Sequence, residues 1–464
     1  MRRNLVLGSP RELTTIAVVA GLSGAYAGAL LSCSTLLSTL GKHSGGSASA
    51  FLDIVATVFI GMALYVAAVV ISSGVATVVA GRLQQIATLR LLGAKSTDLR
   101  RSIAASSARI CLLGSVIGVV VATIAVDAVR LILVHQSHLP DVRYPWFSWG
   151  SPIAALAITA VAAVAGWAGS RRVLEVSPAD ALAGSSGARG VGSPLGRVRV
   201  VFSMTLVVVG AALFALAMVM GENGGPGGFF VAFLAACVTS TGLLSGARFV
   251  LPAVVNLLGR LTGSDGPSRI ARRNAVADPA RTTRSTLGLF VGVALVVTVA
   301  SGDSALQTAV ASWRFTSAAQ RHEAHQVLTV ATTITVTVGV VSSLIAAVGF
   351  VSTMSLTVIQ RRRELGLLRA LGFTGAQVRS MITKESVAMS AAATAAGIVV
   401  GICYGSAGAQ ALVGAETRGF VWGLPWLVLV AIVLAALAVI LLASQPPARR
   451  AIATPPVVAL RVEG

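Results

Sequence analysis

Charge is scarce in this chain. Asp, Glu, Lys and Arg together make up 11% of its 464 residues, where a soluble globular domain carries about 25%. Acidic residues are scarcer still, 16 against 36 Lys and Arg, and they are scattered. That excludes a charged soluble surface and leaves no paired carboxylates for acid–base work. Cysteine is limited to Cys33, Cys111, Cys237 and Cys403, all inside apolar runs and with no paired spacing. Neither a disulfide framework nor a zinc motif fits that pattern, and the four read as small buried hydrophobes. A phosphate-binding loop is missing as well. The only Gly-Lys step, Gly41-Lys42, is followed by His43 rather than Ser or Thr, so the chain is not expected to bind ATP alone.

What the chain has is apolar sequence, 55% of it hydrophobic. Runs of about 20 apolar residues recur along its length, each long enough to cross a bilayer as a helix. The net charge of +20 would suit nucleic acid if it formed a patch. Instead it falls in short loops between apolar runs, as the positive-inside rule describes. Spans are expected at 13–37, 51–80, 104–134, from Trp149 to Ala168, 200–220, 229–251, 285–302, 330–359, 385–412 and 422–443. A polar link, Gly41 to Ser49, separates the first two, and the first is read as a retained helix rather than a cleaved leader. Ten spans put both termini on one side. Of the 36 Lys and Arg, all but Lys42, Arg130, Arg143, Arg314, Arg321 and Arg418 then share that side, which is expected to be cytoplasmic.

The order is four spans, two, then four again, and the two four-span units echo each other. Arg272-Arg273-Asn274 repeats Arg2-Arg3-Asn4. The segment Arg363-Glu364-Leu365-Gly366-Leu367-Leu368-Arg369-Ala370-Leu371-Gly372-Phe373 repeats Gln85-Ile86-Ala87-Thr88-Leu89-Arg90-Leu91-Leu92-Gly93-Ala94, with Glu364 on Gln85, Arg369 on Arg90 and Gly372 on Gly93. Pro456 to Leu460 repeats Pro178 to Leu182. Each basic turn joins two long spans. Gly93 suits a helix C-cap, Ser96, Thr97 and Asp98 offer an N-cap for a new short helix, and Thr374 with Gln377 has capping-box spacing. The fold expected is an all-α membrane protein of ten transmembrane helices. It comprises a four-helix unit over 1–183, a linker and two-helix hairpin over 184–260, and a second four-helix unit over 261–464. Units that each cross an even number of times are parallel repeats.

On these turns and the Arg-Arg-Asn and Pro-x-x-Ala-Leu segments, the chain resembles the FtsX-like permeases, the membrane subunits of MacB-type ABC transporters. The resemblance implies that the turn after the second helix of each unit is a coupling helix seated in a groove of an ATPase subunit. The coupling residues would be Arg90, Leu91, Gly93 and Ala94 in the first turn, and Arg363, Glu364, Arg369, Leu371, Gly372 and Phe373 in the second. It implies two copies of a cytoplasmic ABC ATPase carrying ATP and Mg, no cofactor in this chain, and residence in a bacterial cytoplasmic membrane. The function implied is export or membrane extraction of an amphipathic or hydrophobic compound: an antimicrobial peptide, an antibiotic or a lipid. The alternative is a mechanotransmission or sensor subunit that signals to a hydrolase or a membrane sensor kinase and moves no substrate. A secondary transporter is the third reading, for which only Asp127 supplies a mid-membrane acid. Two departures matter. Gln85 stands where the second copy has Glu364, and the gaps at 38–50 and 303–329 leave no room for a large extracytoplasmic domain.

Asp127 and Arg130, in the third span, are candidate substrate residues, because charge inside a span is costly and often functional. At i and i+3 they also suit an ion pair. His135 with His138, and His322 with His325, have helical spacing that suits a metal or a pH response.

Overall fold

The computed structural model of the chain describes residues 10–44, 46–81, 95–135, 150–174, 194–225, 227–258, 279–311, 362–417 and 419–438, with isolated positions between them at 88, 89, 91, 269, 270, 273, 277, 332, 339 and 343. Among the described residues there are helices and no strand. In chain order they are α1 (Pro10–Ser44), α2 (Gly46–Gly81), α3 (Ser96–His135), α4 (Gly150–Leu174), α5 (Pro194–Glu222), α6 (Gly228–Leu258), α7 (Pro279–Ala311), α8 (Arg362–Ala370), α9 (Gly375–Val413) and α10 (Trp426–Ala438). Seven of them, α1, α2, α3, α5, α6, α7 and α9, are long and apolar enough to cross a membrane. Two shorter apolar stretches lie in α4, at Pro152–Ala168, and in α10. The span expected at 330–359 falls outside the described residues except for three isolated helical positions.

Helices are what lipid permits, since each satisfies its own backbone polar groups where no water can. Lipid is as apolar as leucine, so helices associate only where small residues let their backbones meet. Helix α3 shows both faces of this rule. Leu113, Ile117, Val120, Val121 and Ile124 form an exposed stripe. On the opposite side, Cys111, Ser115, Val119, Ala122 and Val126 are buried. There α3 lies against α1, with Gly114, Ser115 and Gly118 facing Ala17, Gly21 and Gly24. A Cβ on Gly118 would collide with the Gly21 carbonyl oxygen, so this crossing requires glycine.

The second half repeats the arrangement. Helix α7 packs on α9, where Gly397, Gly401 and Gly405 meet Val293, Val297 and Ser301. The register that sets Glu364 on Gln85 also sets Gly397 on Gly118, so equivalent glycines sit at equivalent crossings. Around α1 and α3, helices α2 and α4 complete one core, with Tyr26, Leu30, Ile71 and Ile158 fully enclosed. Val297, Met389 and Ala392 centre a second core, joined by Ile432 of α10. The hairpin helices α5 and α6 pack on each other through Gly210, Gly242 and Gly246. Helix α6 then touches α2 on one side and α7 and α9 on the other.

Four expectations change. The polar link Gly41 to Ser49 is helical at 41–44 and 46–49, so α1 and α2 almost meet. From Ser96 onward α3 is continuous, with no break between a short helix and the third span, its first turn closed on the Lys95 carbonyl by the amides of Asp98 and Leu99. Within that turn Asp98 faces the positive end of the helix dipole. The last span begins at Trp426, after Pro425. Helix α7 extends to Ala311 and carries Asp303 inside it, so Asp127 is not the only acid within a membrane helix.

Gly118→Leu is expected to force α1 and α3 apart, at an overpacking cost of about 1–3 kcal/mol. The check is the thermal unfolding midpoint in detergent, with Val120→Leu on the exposed face as control. The glycine variant should melt several degrees lower and the control should match wild type.

Candidate functional site

The second basic turn is built like a stop. Helix α8 closes with Leu371 N–H donating to Leu367 O at 2.9 Å, Gly372 N–H to Arg369 O at 3.1 Å, and Phe373 N–H to Leu368 O at 3.0 Å. The last two bonds make a Schellman motif, which needs a left-handed residue after the helix. Gly372 supplies it with φ +100°. Nothing lies within 4 Å of a Cβ placed there, so the demand for glycine is conformational and not steric. Thr374 then caps α9. Its hydroxyl accepts from Gln377 N–H at 3.3 Å, and its own N–H donates to Gln377 Oε1 at 2.9 Å. The expected capping box is present.

Between α8 and α9 only Leu371, Gly372, Phe373 and Thr374 lie outside helix, and every one of them is held by these bonds. Leu368 and Phe373 pack beneath the turn on Val378, Met381 and Ile382, together with Ile270. Leu367 and Leu371 point the other way, 52% and 72% exposed. The result is a rigid corner with an apolar tip at the head of a 39-residue helix. Arg369 is half-buried in it. Arg363 and Glu364 lie in α8, and their side chains are outside the described residues. Of the coupling residues expected in the first turn, only Leu91 is described, at a helical position and 60% exposed. Arg90, Gly93 and Ala94 are outside the described residues.

Asp127 and Arg130 form an ion pair on α3, Oδ1 to Nη1 at 3.1 Å, with both side chains largely buried. Their charges meet within one turn of one helix, which lowers the cost of holding them in a span. His135 ends α3 and is exposed. His138, His322 and His325 lie outside the described residues, and among the described residues no cluster of three or more His, Cys, Asp or Glu forms.

Several polar residues escaped the sequence reading. Glu385 is 4% exposed at the start of α9, one turn past Met381. Asp303 Oδ2 accepts from Gln307 Nε2 at 2.8 Å, while its Oδ1 is buried without a hydrogen bond. At the far end of α9, Gln410 Nε2 donates to Glu222 Oε1 at 3.2 Å, and Gln410 Oε1 accepts from Val421 N–H at 3.4 Å. That ties the α5–α6 turn and the segment before α10 to one residue. Ser301 and Ser406 hold Gly423 from both sides, its carbonyl at 2.6 Å and its amide at 3.1 Å. Tyr65, midway along α2, and Tyr404, in the last third of α9, both bond to the stretch Cys237 to Thr241 of α6. Tyrosine occurs four times in the chain, so a tyrosine in the middle of an apolar run was the available signal.

Gly372→Val forces a β-branched residue into a left-handed position and should loosen the corner. The check is limited trypsin digestion of the detergent-solubilised chain. Cleavage after Arg369 should be at least several-fold faster than in wild type, and Thr374→Ala, which removes a cap contributing about 1 kcal/mol, should fall between the two.

The profile of the FtsX-like permease C-terminal domain matches the chain twice, at residues 57–178 and 336–456. Each match contains one of the two basic turns, and between them lie the hairpin helices α5 and α6. No curated protein matches the chain. Two copies of one membrane domain, carried on apolar helices that cross at equivalent glycines, make this a multi-pass membrane protein that belongs to the FtsX-like permease family.

Proposed function

We propose that this chain is the transmembrane subunit of a MacB-type ABC transporter, coupling ATP hydrolysis on a partner to export or membrane extraction of an amphipathic or hydrophobic compound. Family members work with an ATPase partner. In this reading ATP and Mg bind to that partner, and two copies of it seat on the two basic turns. The chain lies in a bacterial cytoplasmic membrane with both termini and both turns on the cytoplasmic side. Its own role is non-catalytic.

The α8–α9 corner carries the reading. A coupling element must pass force without melting, and this one is closed by a Schellman motif, capped by Thr374 and underpinned by Leu368 and Phe373. Its exposed Leu367 and Leu371 offer an apolar tip to a groove on a soluble partner. A loop whose only task is to hold positive charge at the membrane surface needs none of these features. In the first turn Gln85 lacks the charge that Glu364 has, so the two docking sites are chemically unequal.

The test is co-purification with an ABC ATPase encoded beside this chain. Wild type should bring down about two ATPase copies, and Leu367→Asp with Leu371→Asp should lose most of one of them while the permease stays monodisperse. Equal recovery of the ATPase with wild type and variant would overturn the coupling role of this corner.

A further inference from the structure

Where α2, α6, α7 and α9 meet, they leave a partly open cavity of about 100 Å³. It lies between the two halves of the chain. Its walls include Met62 and Val69 of α2, Phe233 and Leu244 of α6, Phe290 of α7 and Val400 of α9. Among the described residues, no Asp, Glu, Lys or Arg lines it.

Hydroxyl groups are concentrated on its α6 side. Tyr65 O–H donates to the Cys237 carbonyl at 3.1 Å, and Thr241 O–H donates to the same carbonyl at 2.8 Å. The two oxygens lie 3.1 Å apart; of the two, Tyr65 lines the cavity and, with its proton on the carbonyl, keeps a lone pair to offer. Ser240 O–H donates to Tyr404 Oη at 3.4 Å, and the Thr239 hydroxyl is the phenol's second hydrogen-bonding neighbour, so a guest oxygen would accept the Tyr404 proton in place of Thr239. Phe214 holds the Tyr404 ring in place, centroid to centroid at 5.1 Å. The cavity therefore presents an apolar enclosure, one phenol donor and hydroxyl acceptors, with no charge.

That chemistry selects its guest. A charged group would lose its water here and find no counter-ion. A purely apolar guest would make no use of the hydroxyls that reach the cavity. At about 100 Å³ the cavity is smaller than the roughly 150 Å³ that holds benzene, so it takes a few methylenes of a chain rather than a ring. Methionine at the wall adapts to differing shapes.

We propose that this cavity binds an uncharged lipid-like molecule, an apolar chain bearing a hydroxyl or ester oxygen, taken from the bilayer and seated on Tyr404. The inference rests on the permease reading and sharpens it, because a guest here touches the first unit, the hairpin and the second unit together. The cargo class is thus neutral at the end that enters.

The experiment uses the full chain in phospholipid vesicles without ATPase, with a hexadecanol that carries a diazirine on its chain. After irradiation, labelled peptides are mapped by mass spectrometry. Label should concentrate at positions such as Val69, Ala236 and Leu295, saturate, and be competed by hexadecanol but not by hexadecyltrimethylammonium. Ala236→Trp should abolish the saturable label. Tyr404→Phe keeps the ring and removes one hydrogen bond, so it should weaken half-saturation about 3- to 10-fold. Label spread over exposed lipid-facing residues such as Val208 and Leu216 without saturation would overturn the site. So would an unchanged Tyr404→Phe, or equal competition by the ammonium. ATPase recruitment is read in a separate assay, so a chain that recruits the ATPase yet fails here refutes the cavity alone.

Discussion

Close backbone contact at glycine is the constraint on which the rest of the molecule depends. Within lipid there is no gain from hiding leucine, so helices stay together only where they approach closely enough for dispersion and dipoles to act. Gly118 against Gly21 does this in the first half, and Gly397 against Val293 does it in the second. Once these pairs are fixed, the remaining helices have defined surfaces to lean on. The outward faces can then stay apolar, as Leu113 and Ile117 do, because lipid meets them.

Helix α9 links the two features that matter most for function. At about 1.5 Å per residue, its 39 residues span close to 60 Å. Its head is the capped corner at Thr374, its last third carries Tyr404 at the cavity, and its end holds Gln410 against the outer turns. A displacement of the corner moves a continuous rod rather than a chain of hinges. Helix α6 is the complementary part. It bonds to Tyr65 of the first unit and Tyr404 of the second, so relative motion of the halves has to rearrange one set of hydroxyls.

The sequence was legible wherever a feature is local. The Thr374–Gln377 capping box depends on residues three positions apart and could be read directly, and Gly372 followed from its register with Gly93, read as a helix C-cap. The internal repeat was legible for the same reason, as a register of basic turns. Helix ends were harder. The span expected at 285–302 leaves Asp303 outside it, whereas α7 continues and Gln307 satisfies one carboxylate oxygen from within the helix. The cavity was not legible, because Tyr65, Ser240 and Tyr404 come from distant parts of the chain and only packing joins them. The same holds for Gln410 with Glu222. An amide beside a glycine-rich turn in sequence would have stood out, but these two residues meet only after α5 and α9 are packed.

The most direct measurement is hydrogen exchange across residues 362–404 in the reconstituted complex of this chain with its ATPase, in the resting state and during ATP turnover. ATPase binding is predicted to protect residues 367–373, and turnover to change exchange both there and around Tyr404, with the intervening part of α9 remaining slow throughout. Protection confined to other loops, or turnover that alters exchange at the corner and leaves the Tyr404 region unchanged, would contradict a rigid connection from the coupling turn to the centre of the membrane.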